Sequence, residues 1–383
     1  MADIPLGAII ALILAPVIYT PFITSKELRG IVFKRRHWIF IALTPILVSL
    51  LLLLLAFIFA NKSVTFSKQI WFGLILILIL IDFFAANVIW YLFNTYDGLI
   101  RLLEGEMARS LRKYGKLNRE VISDYLNLGI KSDSWQTRNI ILSSIARVVE
   151  KVCSHPDYKG ESLDGLSLKL VDVLEEENPG SLQNFFMPVD IVRSIIFRSK
   201  ERDLEVGEDI HDAVGSLGNL SQIVMRKPET QTKKIDDIIF RYIDILDMTA
   251  AMHTGSINQV SQVLYEIGVL AISKNFNHIG FVAVNKLNIL VSRDSLPGEV
   301  DKSKIASYAI GIIAHLWSDN VSTRMELSKK FDLMLPYMGY PAGKALDESM
   351  LYYKNIMRFD TSDRLLEMKM DLLNSRKNLR KKK

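Results

Sequence analysis

Asp82 is the only formally charged residue between Gln69 and Tyr96. An ionised carboxylate at the middle of a bilayer costs about 3 kcal/mol or more, so an acid in such a stretch is either protonated and hydrogen-bonded or part of a conduction path. No basic residue lies at the same depth. Aligning the preceding apolar stretch against this one places Ser49 level with Asp82, and Thr44 and Asn87 about one turn nearer the inner surface. A hydroxyl can bond a neutral carboxylic acid, and polar side chains of this kind hold transmembrane helices together. The preferred reading is therefore a neutral Asp82 joining two spans or two subunits. A proton or cation path through an oligomer is the sharper alternative.

Outside that stretch the chemistry is sparse. Glu208 and His211 stand three apart and share a helix face, but the di-iron pattern built on Glu-x-x-His needs a second such motif and two further Glu. An acidic first turn that complements the helix dipole explains Glu208 and Asp209 more simply. No two of the six histidines have the i, i+4 spacing of paired metal ligands. Cys153 is the only cysteine, which excludes an intrachain disulfide and a cysteine metal cluster, and it sits in an apolar helical pattern as a small buried hydrophobe would. Gly160-Glu-Ser162-Leu-Asp lacks the last glycine of a nucleophile elbow, and no phosphate-binding glycine loop occurs. No catalytic residue is assigned, no cofactor or metal is expected, and the balance is against an enzyme. Asn61-Lys-Ser63 matches a glycosylation acceptor but falls in too short a turn to carry weight.

The elements that must position these residues follow from where charge is absent. Of 383 residues, 49% are hydrophobic and 23% charged, which excludes a disordered chain. Roughly 30 Å of hydrocarbon needs about 20 apolar residues in a helix, because every backbone group in lipid must be bonded internally. Three stretches qualify, about 4–24, 38–60 and 70–94, defining a membrane domain over 1–94. Pro16 and Pro21 make the first of them kinked or re-entrant. Five Lys or Arg, including Lys34, Arg35 and Arg36, lie between the first two stretches, six follow the third, and two occupy the turn between the second and third. Positive charge is retained on the cytoplasmic side. The N-terminus is thus expected outside, with everything after Asn94 cytoplasmic. Trp38, Trp71, Trp90 and Tyr91 fall at the expected interfaces.

Net charge divides in the same way. The formal total is +5; residues 1–94 contribute +4, the last eight residues +6, and the body between them −5. An acidic body without a basic stripe argues against nucleic acid as a partner. Leu99, Leu102, Leu103, Met107 and Leu111 continue a helical pattern, predicting a stalk over 95–117. From 118 to 358 the chain reads as successive amphipathic helices of twelve to twenty residues with short polar turns, and the fold class is all-α. Four helices repeat a motif in which a small residue, Ala146, Gly218, Gly268 or Gly311, lies between aliphatics, at intervals of 72, 50 and 43 residues. The last intervals approach the forty-odd residues of HEAT-like helix pairs, so the body resembles an irregular α-solenoid, with a plain helical bundle as the rival.

The segment 359–383 is predicted as an amphipathic helix ending in Arg376, Lys377, Arg380, Lys381, Lys382 and Lys383. That cluster is either a solvated end or an attachment to anionic lipid. Taken together, the residues point to an integral membrane protein whose cytoplasmic helical domain acts as a scaffold or receptor, with membrane lipid and a protein partner as its contacts and a homo-oligomer in view. The alternative is an oligomeric channel or transport component in which Asp82 and Ser49 line the path.

Overall fold

A computed structural model describes residues 95–114, 135–154, 187–201, 207–226, 232–293, 300–317 and 321–381, with scattered single positions elsewhere. All regular structure among the described residues is helical, as the spacing of apolar residues requires. Among them no helix is long and apolar enough to cross a membrane. The three stretches read as spans lie outside the described residues, except for isolated helical positions. Of these, Val48, Leu51, Leu52, Leu76, Ile77, Leu80 and Phe84 are exposed, Phe84 at 72%.

The chain divides into two compact units, one comprising Met1–Ser110 with Arg119–Ile141 and the other Leu111–Asn118 with Leu142–Lys383. In the first, helix α1 (Tyr96–Tyr114) begins at a cap of its own. The Thr95 hydroxyl accepts the Gly98 amide at 3.0 Å and donates to the Tyr91 carbonyl at 2.7 Å, satisfying one of the amides that a helix start leaves open. Leu99, Ile100, Leu103 and Met107, one face at helical spacing, are buried.

The second unit carries the helices α2 (Trp135–Cys153, from Leu142 onward), α3 (Met187–Glu201), α4 (Glu208–Met225), α5 (Thr232–Met252), α6 (Ile257–Ser273), α7 (Asn277–Val291), α8 (Lys302–Leu316), α9 (Val321–Met338), α10 (Ala342–Asn355) and α11 (Phe359–Lys381). From α4 to α9 they stack in two layers. In one, α4 packs on α6 and α6 on α8; in the other, α5 packs on α7 and α7 on α9. Each helix also packs on its partner across the layers, as α4 on α5, α6 on α7 and α8 on α9. The end of the stack departs from this rule, because α11 packs on both α10 and α8.

The glycines of the repeated motif are the points of closest approach in the first layer. A Cβ on Gly218 would stand 3.2 Å from the Val263 side chain, and one on Gly268 would stand 2.7 Å from Ile312. One on Gly311 would collide with the Tyr353 ring and hydroxyl. Each glycine thus admits a side chain from the next helix of the layer, lying 42 to 45 residues further on. Without a Cβ the backbones come close enough for those side chains to fill the gap, which is the use a helix makes of glycine despite its entropic cost.

Two of the turns joining helices use the same backbone device. Asn275 (φ 66°) follows α6 and Met357 (φ 60°) follows α10, both in the left-handed region. After α6, the Phe276 amide bonds the Ala271 carbonyl at 2.8 Å and the Asn275 amide that of Ile272. After α10, the Arg358 amide bonds Tyr353 at 2.8 Å and the Met357 amide bonds Lys354. This paired closure absorbs the last open carbonyls of a helix and normally selects Gly or Asn.

Candidate interaction surface

Two seams of polar residues run along the layers. The first joins α6, α8, α10 and α11. Tyr265 and Tyr308 stack with ring centroids 5.3 Å apart, and Tyr353 lies 5.3 Å from both Tyr265 and Tyr352. Their hydroxyls find partners, as buried phenols must. Tyr353 donates to the Ser307 carbonyl at 2.9 Å, Tyr352 to the Tyr308 oxygen at 3.0 Å, and Tyr265 shares a 2.8 Å bond with Thr361. The carbonyl of Ser307 is open because Gly311, four residues on, leaves room for the Tyr353 ring over it. Burial pushes the Tyr265 phenol up to about 12 and raises Tyr308 and Tyr353 as well. Tyr265, Tyr308 and Tyr353 are therefore neutral at every physiological pH.

Thr361 also meets His315 Nε2 at 3.0 Å, so one hydroxyl at the start of α11 ties that helix to both α6 and α8. Burial lowers the His315 pKa; Asp360 opposes that shift and Arg364 adds to it. With the imidazole neutral, its 3.9 Å approach to Asp360 is a contact, not an ion pair. Trp317 Nε1 donates to Asp371 at 3.1 Å, a second tie from the end of α8 to α11.

The second seam runs over α5, α7 and α9 and is ionic. Lys286 donates to Asp247 at 2.7 Å and lies 3.3 Å from Asp244. Arg293 bridges Asp247 and the Ala250 carbonyl, His278 approaches Asp236 at 2.9 Å, and Lys330 donates to Asn285. Burial disfavours the Lys286 charge, but Asp247 and Asp244 outweigh it and hold its pKa above the ordinary lysine value. These bonds join residues 39 to 46 apart, the same step as the glycine contacts. Asp244, Asn285 and His278 remain exposed along this line, a polar strip open to solvent.

His211 is part of a third, shorter line. It bonds Gln259 through Nδ1 and through its own carbonyl, so α4 is fastened to α6 at the layer's exposed rim. Glu208 is exposed one turn away. No group of three His, Cys, Asp or Glu that could hold a metal occurs among the described residues. Cys153 is wholly buried near the end of α2.

Of the residues singled out within the expected spans, Asn87 is helical and exposed, while Asp82, Ser49 and Thr44 lie outside the described residues, as do Lys34, Arg35 and Arg36. Arg376, Lys377, Arg380 and Lys381 belong to α11, and Lys382 and Lys383 lie outside the described residues. The tyrosine seam was not legible in the sequence. Tyr265, Tyr308 and Tyr353 occupy helix-core spacings, and only the partner Thr361, 96 residues from Tyr265, shows that a polar network was needed there. No family model, curated protein or solved structure matches the chain.

Proposed function

We propose that the chain is a membrane-anchored helical scaffold, its N-terminal apolar stretches spanning the cell membrane and its C-terminal domain, an irregular HEAT-like solenoid, recruiting a protein partner at the inner surface. The observation that carries this reading is the step of about 39 to 48 residues that recurs in all three lines of contacts, apart from the Tyr265–Thr361 and Trp317–Asp371 ties of α11. A stack bonded only between neighbours presents long parallel surface lines instead of one enclosed cleft, and arrays of that form bind extended partners. The anchoring half is supported by the apolar stretches themselves and by the exposed Leu76, Ile77, Leu80 and Phe84, which follow helical spacing. An apolar helix face of that kind has lipid or another span as its natural contact.

The test is photo-crosslinking in cells from a crosslinker placed in the full chain at Asp244, on the ionic line, and at Gln262, on the exposed rim of α6. One discrete adduct from either line, in the fraction that resists extraction by alkaline carbonate, is the expected result. Release of the chain by carbonate would remove the anchor, and adducts from neither line would remove the partner. Flux through reconstituted vesicles that Asp82→Asn abolishes, with assembly intact, would favour the channel reading in its place.

A further inference from the structure

The C-terminal hairpin of the second unit, from Ile356 to the end of α11, has an apolar edge with no partner in the fold. Ile356, Met357 and Phe359 form its tip, with Met357 at 80% and Phe359 at 59% exposure. Along α11 the exposed Leu366, Met370 and Leu373 continue from Phe359 at spacings of seven, four and three. At 100° per residue these four side chains fall within a stripe about 60° wide. The opposite face holds the buried Thr361, Leu365 and Met368, which dock the helix on α8 and α10. Helix α11 therefore has two apolar faces, and only one is used.

The backbone at the tip adds an independent observation. Met357 holds the left-handed conformation that Gly or Asn adopts freely and a long side chain does not. The chain places a large apolar side chain on a strongly exposed position of the turn, where the backbone alone would favour Asn, the residue that the equivalent turn has at Asn275. Strain of this sort marks a side chain kept for its contacts beyond the turn.

Charge identifies what the edge faces. Along α11 the acids Glu367 and Asp371 are paired with Arg364 and Arg324 and Asp360 and Asp363 lie near the tip, whereas the final eight residues carry six basic side chains and no acidic one. A second copy laid along the same stripe in parallel would bring two such clusters together, and one laid antiparallel would set each cluster against a tip in which Lys354, Arg358 and Arg364 outnumber Asp360 and Asp363, so neither arrangement neutralises the clusters. Nucleic acid would satisfy the charge but offers nothing to the leucine and methionine stripe. A bilayer with anionic headgroups satisfies both, since an amphipathic helix lies in the interface with its apolar face sunk about 5–10 Å and its basic residues at the headgroups.

We infer that the Ile356–Leu373 edge, with the basic end of α11, is a second membrane contact that lays the far end of the helical stack on anionic lipid. It rests on the anchored reading only for bringing the hairpin near a bilayer. The full chain is labelled with an environment-sensitive fluorophore at Met370→Cys and, as a control, at the exposed Asp332→Cys, and mixed with vesicles of zwitterionic lipid alone or with added phosphatidylserine, each carrying lipid-borne quenchers. Quenching at position 370 but not 332 is expected on the anionic vesicles, lost by more than about tenfold when the six basic residues are changed to Gln. It should also fade in about 1 M salt, where screening shortens to about 3 Å. Equal solvent access at both positions on every vesicle would overturn the inference. So would protection that persists on zwitterionic lipid and grows with protein density, which marks a second copy, and protection that needs added nucleic acid. A chain that fails to float with any vesicle defeats the anchored reading instead, so the two failures are distinct.

Discussion

Met357 and Gly311 are the positions where a single side chain decides the most. At Met357 the strained backbone and the exposed thioether pull in opposite directions. Met357→Asn should raise stability by about 1 kcal/mol, read by urea unfolding, because Asn tolerates the left-handed conformation. The same change should weaken the lipid contact, so stability and vesicle binding part company. Gly311 offers a cleaner contrast. Gly311→Ala drives a methyl into the Tyr353 ring and should cost about 1–3 kcal/mol. Gly343→Ala on α10 meets nothing within 4 Å and should be neutral or stabilising by up to about 1 kcal/mol. Equal effects of the two alanines would show that Gly311 is not a point of close approach. Small residues between aliphatics were readable as packing points at Gly218, Gly268 and Gly311; which side chain enters each gap was not, because it comes from some forty residues away.

At the scale of elements, α11 is held in part by a histidine whose pKa the fold lowers. The apolar spacing of Leu365, Met368 and Leu372 announced a helix there, yet nothing in the local sequence showed that Thr361 would reach Tyr265 and His315 on two other helices. Such long-range pairings have no local signature. The His315 pKa is lowered in the folded chain, so the unfolded chain takes up the proton more readily. The stability tied to that histidine is whole above its ordinary value near 6.5 and is lost as pH falls from there through the lower value of the folded chain. Thermal unfolding at pH 7.5 and pH 5 should show the loss. His315→Asn, which can still bond Thr361, should flatten the slope by at most about 1.4 kcal/mol per pH unit. A slope unchanged by the substitution would place the titration elsewhere. His253 shifts in the same direction, chiefly through burial, so part of the slope should survive in the variant.

Across the second unit, contacts link each helix pair to the next pair, and stability is therefore a sum of local terms more than a single cooperative core. Helix α8 is the most heavily braced, touching α6, α7, α9, α10 and α11. Amide hydrogen exchange should be slowest in α6 and α8 and faster toward α3, in steps that follow the pairs. One uniform rate of opening from α3 to α11 would contradict a stack of neighbours. The all-helical class of this unit was fully legible, since periodicity and turn residues are local. Its layering was only hinted at by the motif intervals of 72, 50 and 43, because the same pattern also suits a closed bundle.

The second apolar face of α11 has a practical consequence. Stacked arrays are normally kept soluble by water-loving outer sides, and α11 turns leucine, methionine and phenylalanine outward. An outward edge of that kind is sticky, and polar substitutions at Leu366, Met370 and Leu373 should lower the tendency of the chain to clump.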